Sequence, residues 1–384
     1  LLAISLIINS HQSYFSLHQV GDKTLFDLFL IVAITVPWLA QACCLPLYIL
    51  LGEEIYTHGA LSAKSRIIDL VLKNILFLLV LLSLVTIIVA FEFSSDLYFL
   101  INYFLLTFVQ ILFSQIMVLP QSLKRYDIWF LAWVIYCGSM YLLPQLWVAP
   151  SLICILLVLI LSPGPFKYKP ELFKNVKFKY FTWGSAGLVM GFTLWLDKFI
   201  LFISGLVVNS EMLIFISLIP SVLILNYFYI FRLPILEKAL TKTITAINST
   251  SIRHYIKLRD KSYVTAKIIL IELVIFHILV SFYCLKISSV VLTMPLSELV
   301  PIFTYTMLMT LINIVLNALI LLRSMVVFFR IAIILTIINT SFYFLANSQI
   351  QFYEYFSYLL LCMFGLFVFL ARKKWRRPYL SYFS

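Results

Sequence analysis

Apolar residues run along this chain in blocks of roughly twenty, divided by short polar stretches, and within the blocks polar and apolar positions do not alternate. About 20 apolar residues rising 1.5 Å each cover a hydrocarbon core of about 30 Å, so the pattern predicts membrane-crossing helices rather than barrel strands. Complete spans are expected at Leu25–Leu51, Asp69–Phe91, Leu97–Leu119, Ile128–Trp147, Ala149–Ser162 and Tyr180–Leu206. Further spans follow at Met212–Phe231, Thr265–Leu285, Glu298–Leu322, Met325–Leu345 and Tyr353–Ala371. Leu1–Ile8 is too short to cross and reads as the end of a first helix. The expected fold is therefore all-α and polytopic, with about 12 transmembrane helices in two six-helix lobes, the first helix truncated.

The polar stretches set the boundaries. Pro163–Lys179 holds five lysines against one acid, Glu171, and its prolines mark it as a basic linker. The expected lobes are residues 1–162 and 180–384. The longest polar segment, Arg232–Val264, carries Leu236, Leu240, Ile244 and Ile247 at spacings of three and four, as on one face of an amphipathic helix. Its cations suit an anionic membrane surface, and the tail RKKWRRPY, with Trp375 and Tyr379, reads as an interfacial anchor.

Composition sharpens the class. The chain is 63% hydrophobic and 11% charged, where a soluble domain runs at roughly 25% charged. The net charge of +12 does not point to nucleic acid, because Lys and Arg concentrate in alternate loops. Those around Lys64, Lys124, Lys167–Lys179, Arg253, Arg323 and the tail are basic, whereas the intervening loops hold Asp22, Glu92, Asp96 and Glu211. That alternation predicts both termini in the cytoplasm of a cell whose inner membrane holds the protein. The six cysteines lie within or beside apolar spans and show no metal-ligand spacing, so core packing is expected rather than disulfides.

Candidate chemistry is sparse. No P-loop, GxSxG, HExxH or Gly-rich dinucleotide turn occurs, so neither an enzyme nor a cofactor or metal site is read. Tyr180–Leu206 stands out. Gly184, Gly187 and Gly191 recur near one helical turn and allow close approach by a neighbouring helix, and the middle of the span carries Trp195, Asp197 and Lys198. Charges at mid-depth cost about 2.5–3.5 kcal/mol each on insertion scales and are expected at a bundle interior or wet cavity. Adjacent positions point about 100° apart, so Asp197 and Lys198 are not expected to pair with each other. A substrate cavity, an interhelical pair and an interfacial position all fit. Glu272 and His277 are candidates for ion or proton coupling, although five residues set them about 140° apart around one helix. The amides Asn102, Gln110, Gln115, Asn226, Asn313, Asn317 and Asn339 fit helix–helix glue or a saccharide-binding wall.

This layout resembles the multidrug/oligosaccharidyl-lipid/polysaccharide exporter superfamily: two lobes, a basic link and a longer amphipathic segment after the eighth helix. Within it, GFTLWLDKFILFISG (Gly191–Gly205) is similar to the Trp-x-Asp-Lys stretch of the seventh helix in the PelG-like Pel exopolysaccharide exporters. The run from Phe231 into the next span is also similar, and the first half matches by topology alone. The resemblance implies a flippase-type transporter that passes polysaccharide or lipid-linked oligosaccharide outward by alternating access. Its partners would be anionic lipids, a cytoplasmic glycosyltransferase and small membrane proteins. Only Trp195, Asp197 and Lys198 carry over as cavity residues. Alternatives are a membrane polysaccharide polymerase or ligase, the permease subunit of an ATP-driven exporter, and a multidrug/cation antiporter of the same superfamily.

Overall fold

The computed structural model describes residues 11–93, 95–165, 181–192, 195, 210–249, 252–291, 295–322, 324–345 and 349–376. Nearly all are helical, and seven of the described helices are long and apolar enough to cross a membrane. The chain divides into two compact units, Leu1–Trp195 and Leu196–Ser384.

In the first unit a short helix, α1 (Gln12–Leu17), leads to a two-stranded hairpin, β1 (Gln19–Val20) and β2 (Lys23–Thr24). Gly21 turns that hairpin with φ +70°, and a side chain there would meet the Asp96 carboxylate at 2.1 Å. Only glycine suits the position on both counts. Thr24 and Asp27 then form a reciprocal capping box that starts α2 (Leu25–His58). After it come α3 (Ala63–Phe93), α4 (Leu97–Ser122), α5 (Tyr126–Leu142) and α6 (Ala149–Leu161). Asp96 caps α4 by accepting from Phe99 N at 2.7 Å. Helices α2 and α4 form the middle of the unit, whereas α3 leaves Leu76, Val80, Leu84, Ile87 and Ile88 exposed, as a lipid-facing surface requires.

Residues 181–192 form α7, and this helix joins the first unit. The sequence pattern opens a second lobe at Tyr180; the division falls instead after Trp195. The physical reason is the glycine spacing. A Cβ on Gly187 would sit 2.3 Å from Gln41 O, and one on Gly191 would sit 2.9 Å from Trp38 O, both on α2. Trp38 Nε1 seals the contact by donating to Leu188 O at 3.1 Å. Pro46 denies Ala42 O its helical partner, and this carbonyl also faces α7, beside Gly184. Most of the expected linker 163–179 lies outside the described residues.

In the second unit α8 (Ser210–Tyr227) widens into a π turn, Phe228–Arg232, before α9 (Leu233–Ser249). Pro234 has no N–H to give Ile230 O and its ring crowds that carbonyl, so the helix loosens and Leu233 N bonds Phe228 O instead. Helix α9 buries Leu236, Leu240 and Thr243 and exposes Glu237, Lys238 and Lys242. The predicted amphipathic face is present, but it packs on the start of α10 (Ile252–Val291) rather than standing free for a membrane surface. At 40 residues α10 is about 60 Å long, so it continues well beyond one bilayer core.

Helix α11 (Leu296–Leu321) is the hub, buried along most of its length and packed by α8, α10, α12 (Met325–Leu345) and α13 (Gln349–Trp375). Trp375 differs from the expected headgroup anchor. It is only 3% exposed, and its Nε1 donates to Ser262 Oγ at 3.0 Å. The end of α13 is thus tied to the polar start of α10, where Arg372 also lies over the Tyr263 ring.

Candidate substrate-facing polar groups

Of the candidate cavity residues, Trp195 is buried, with Nε1 lacking a hydrogen-bond partner among the described residues. Asp197 and Lys198 lie outside the described residues, so their surroundings are not assigned.

Glu272 and His277 are both on α10 and do not meet. Tyr227, at the end of α8, donates to Glu272 Oε1 at 2.5 Å, and Arg232, at the end of the π turn, bonds both Glu272 Oε1 and Tyr227 Oη. The Arg232 guanidinium also stands 5.2 Å from the Tyr227 ring centroid. The widened turn is what brings Tyr227 and Arg232 together on one side of α8, facing α10. The carboxylate is therefore already paired with a cation and a phenol. His277 is fully buried and shares a hydrogen bond of 3.0 Å with Ser281, one turn along, through Nδ1. These two residues form separate local clusters, not a relay.

The amides divide by what they touch. Asn102 donates to Tyr98 O within its own helix. Gln110 ties α4 to α5 through Tyr136 Oη at 2.6 Å. Asn339 ties α12 to α11 through Tyr305 Oη at 2.9 Å. Asn317 bonds Asn313 Oδ1 at 3.0 Å and Tyr229 Oη in the π turn at 3.1 Å. Asn226 is exposed on α8. Gln115 is fully buried on α4 and lies beside the Cys43 thiol of α2.

A further cluster was not singled out from the sequence. Asp69, 6% exposed, accepts from Arg66 at 2.9 Å and from Lys73 at 2.7 Å, while Glu54 lies 3.6 Å from Arg66 and 3.2 Å from His58. Two carboxylates and two permanent cations thus balance at one end of the first unit. The spacing of Arg66, Asp69 and Lys73, three and four apart, was the signal available for it. Nearby, Lys64 reaches across to donate to Ser162 O at the end of α6. Such a partly buried, balanced network fixes helix ends and costs little once every charge is paired.

Compared with protein-family models, curated proteins and solved structures, the chain matches none.

Proposed function

We propose that this protein is a membrane transporter that exports polysaccharide or a lipid-linked oligosaccharide. The observation that supports this reading best is the hub helix α11. It is buried almost throughout, yet its interior carries Tyr305, Thr306, Thr310, Asn313 and Asn317 rather than an all-aliphatic core. Hydroxyls and amides are the groups that hydrogen-bond neutral sugars, and none of these five is ionised. A cation antiporter would be served by a carboxylate free to exchange its partner, and Glu272 is held by Arg232 and Tyr227. Export would follow from alternate exposure of such surfaces on the cytoplasmic and outer sides, with Trp195, Asp197 and Lys198 as the cavity residues implied by the resemblance. A glycosyltransferase and small membrane proteins would supply and receive the chain.

The test is translocation by the purified protein in proteoliposomes carrying a fluorescent lipid-linked oligosaccharide in the inner leaflet. Headgroups should become accessible to an external glycosidase faster than in protein-free vesicles. Asp197→Asn should slow this about tenfold, equivalent to about 1.4 kcal/mol, with normal extraction from the membrane. Translocation no faster than in empty vesicles would end the reading.

A further inference from the structure

The first turns of α10 carry cations well away from any hydrocarbon. Lys267 is the last cation before the largely apolar run that starts at Ile268. Tyr227 meets Glu272, and Thr243 Oγ1 donates to Leu258 O at 3.4 Å, so α8–α9 and α10 run antiparallel as one long hairpin. The hairpin continues past Lys267 as a projecting arm. Lys257 and Arg253 lie about 15 and 21 Å from Lys267 along the helix axis, at 1.5 Å per residue. With the usual tilt of about 20° they still clear a headgroup layer of about 5–7 Å. Physiological salt screens charge over about 8 Å, so an anionic lipid surface holds Arg253 only weakly.

These cations are ordered. Arg253, Lys257 and Lys261 recur every four residues and are all exposed, so they form one stripe along the arm. Lys238 and Lys242 add a shorter exposed stripe on α9. The end of α13 brings exposed Arg372, Lys373 and Arg376 to the same arm. It is tied there by Trp375 to Ser262, and by Arg259 donating to Arg376 O at 3.5 Å. The acids on these segments are Glu237 and Asp260, and Asp260 is taken by Arg259 at 2.8 Å. Among the described residues no carboxylate pairs with Arg253, Lys257 or Lys261. Like charges four apart destabilise the helix that carries them. Orienting the span needs only cations near its end, which Lys267 and Arg372–Lys374 supply.

The occupant of such a stripe is an anion, and the nearest surfaces are excluded. A second copy presents the same cations. The chain's own linker, Pro163–Lys179, is basic with Glu171 as its one acid. Lipid headgroups stop short of Arg253. We propose that the arm built from α9, the first turns of α10 and the end of α13 is a docking surface for an acid-rich helix of a separate protein. It lies on the side that the charge pattern predicts to be cytoplasmic. Carboxylates recurring every three or four residues on that helix match the step of about 6 Å between Arg253, Lys257 and Lys261. The inference stands on charge placement and not on the export reading.

The test uses the full chain in neutral phosphatidylcholine nanodiscs and a fluorescent peptide of about five Glu-Ala-Ala-Ala repeats. Binding is read by anisotropy at about 0.15 M salt. Arg253→Glu, Lys257→Glu and Lys261→Glu combined should weaken it about tenfold, the size expected for three exposed ion pairs. The melting midpoint should hold, because the sites are exposed and Glu is a good helix former. A peptide of equal composition with its Glu residues gathered at one end should bind more weakly than the spaced one. Equal binding by the two peptides, or by the reversed variant, would show diffuse charge and overturn the docking surface. Tighter binding of a polyuridine of equal charge would overturn it in favour of nucleic acid. Nanodiscs with about 30% phosphatidylserine should keep peptide binding within about threefold. A loss there as large as in the reversed variant would assign the cations to lipid and end the proposal.

Discussion

Helices α4 and α11 hold matching places, each in the middle of its own unit, and both carry hydroxyls and amides on buried faces. Their polar groups nevertheless end in different states. On α11 the amide and phenol groups find partners on neighbouring helices: Asn317 with Tyr229, and Tyr305 with Asn339. On α4 Gln110 is tied to Tyr136 in that way, but Tyr103 meets only the Thr35 and Thr107 hydroxyls and Gln115 only the weakly bonding Cys43 thiol. In this state the paired groups hold helices together, worth about 0.6–2 kcal/mol each in a membrane, and would have to exchange those partners to meet a substrate. Groups with weaker partners contribute less. Residue type is the same in both helices; the partner decides the role.

The largest expected effect would come from disturbing α2, which faces α4 on one side and α7 on the other. Gly187→Leu places side-chain atoms where Gln41 O stands 2.3 Å from the Cβ position. Overpacking of this kind costs about 1–3 kcal/mol, more when backbone must move, so the melting midpoint in detergent should fall by several degrees. Gly138→Ala, inside α5 and with no atom within 4 Å, should leave it level or raise it slightly. Equal midpoints for the two variants would break the account of α7 packing and, with it, the placement of α2.

Next in size is Asn317→Leu, which removes the bond to Tyr229 and should lower stability by about 0.6–2 kcal/mol in the same melting assay. Gln115→Met sharpens the comparison because it should do the opposite. It removes an amide whose neighbour is the weakly bonding Cys43 thiol, at nearly constant volume, so stability should hold or rise slightly. A loss as large as that for Asn317→Leu would erase the distinction between the helices.

The smallest effect is expected at the exposed mouth between α4 and α5. Arg125 there donates to both oxygens of Asp127, at 2.9 and 2.7 Å, and this hydrogen bonding lowers the carboxyl to about 2. A depressed carboxylate contributes its stabilisation above the ordinary range near pH 4 and loses it as pH falls through about 2. Because the pair is in solvent, water and salt screen it, and Asp127→Asn should leave the melting midpoint at pH 7 unchanged within error. A clear drop would mean that surface pairing matters as much as the buried bonding.

Much of the fold was legible in advance. Runs such as Leu97–Leu119 and Met325–Leu345 correspond to α4 and α12, because a helix is the economical way for an apolar run to satisfy its own backbone. The triplet of glycines announced a close helix contact, and the spacing of Leu236 and Leu240 announced an amphipathic helix. Less of the candidate site could be read. Seven amides look alike on paper, and nothing in their local sequence told Gln115 from Asn317. Trp375 carried every local sign of an interfacial anchor, yet Ser262, more than a hundred residues earlier, supplies a buried partner.

By itself, then, the sequence determined where helices run, how apolar they are and which faces carry small or polar residues. Those properties follow from the helical repeat and from the cost of bringing charge or bare backbone into hydrocarbon, both of which act over a few turns. Only the tertiary structure decided that α7 joins the first unit, that the face of α9 covers α10 and that Gln115 comes beside Cys43. Each of those outcomes depends on an atom brought near from a distant part of the chain: the Gln41 carbonyl, the first turns of α10, the Cys43 thiol beside Gln115. Hydrogen bonds and steric contact act over a few ångströms in space, and separation along the chain does not report that distance.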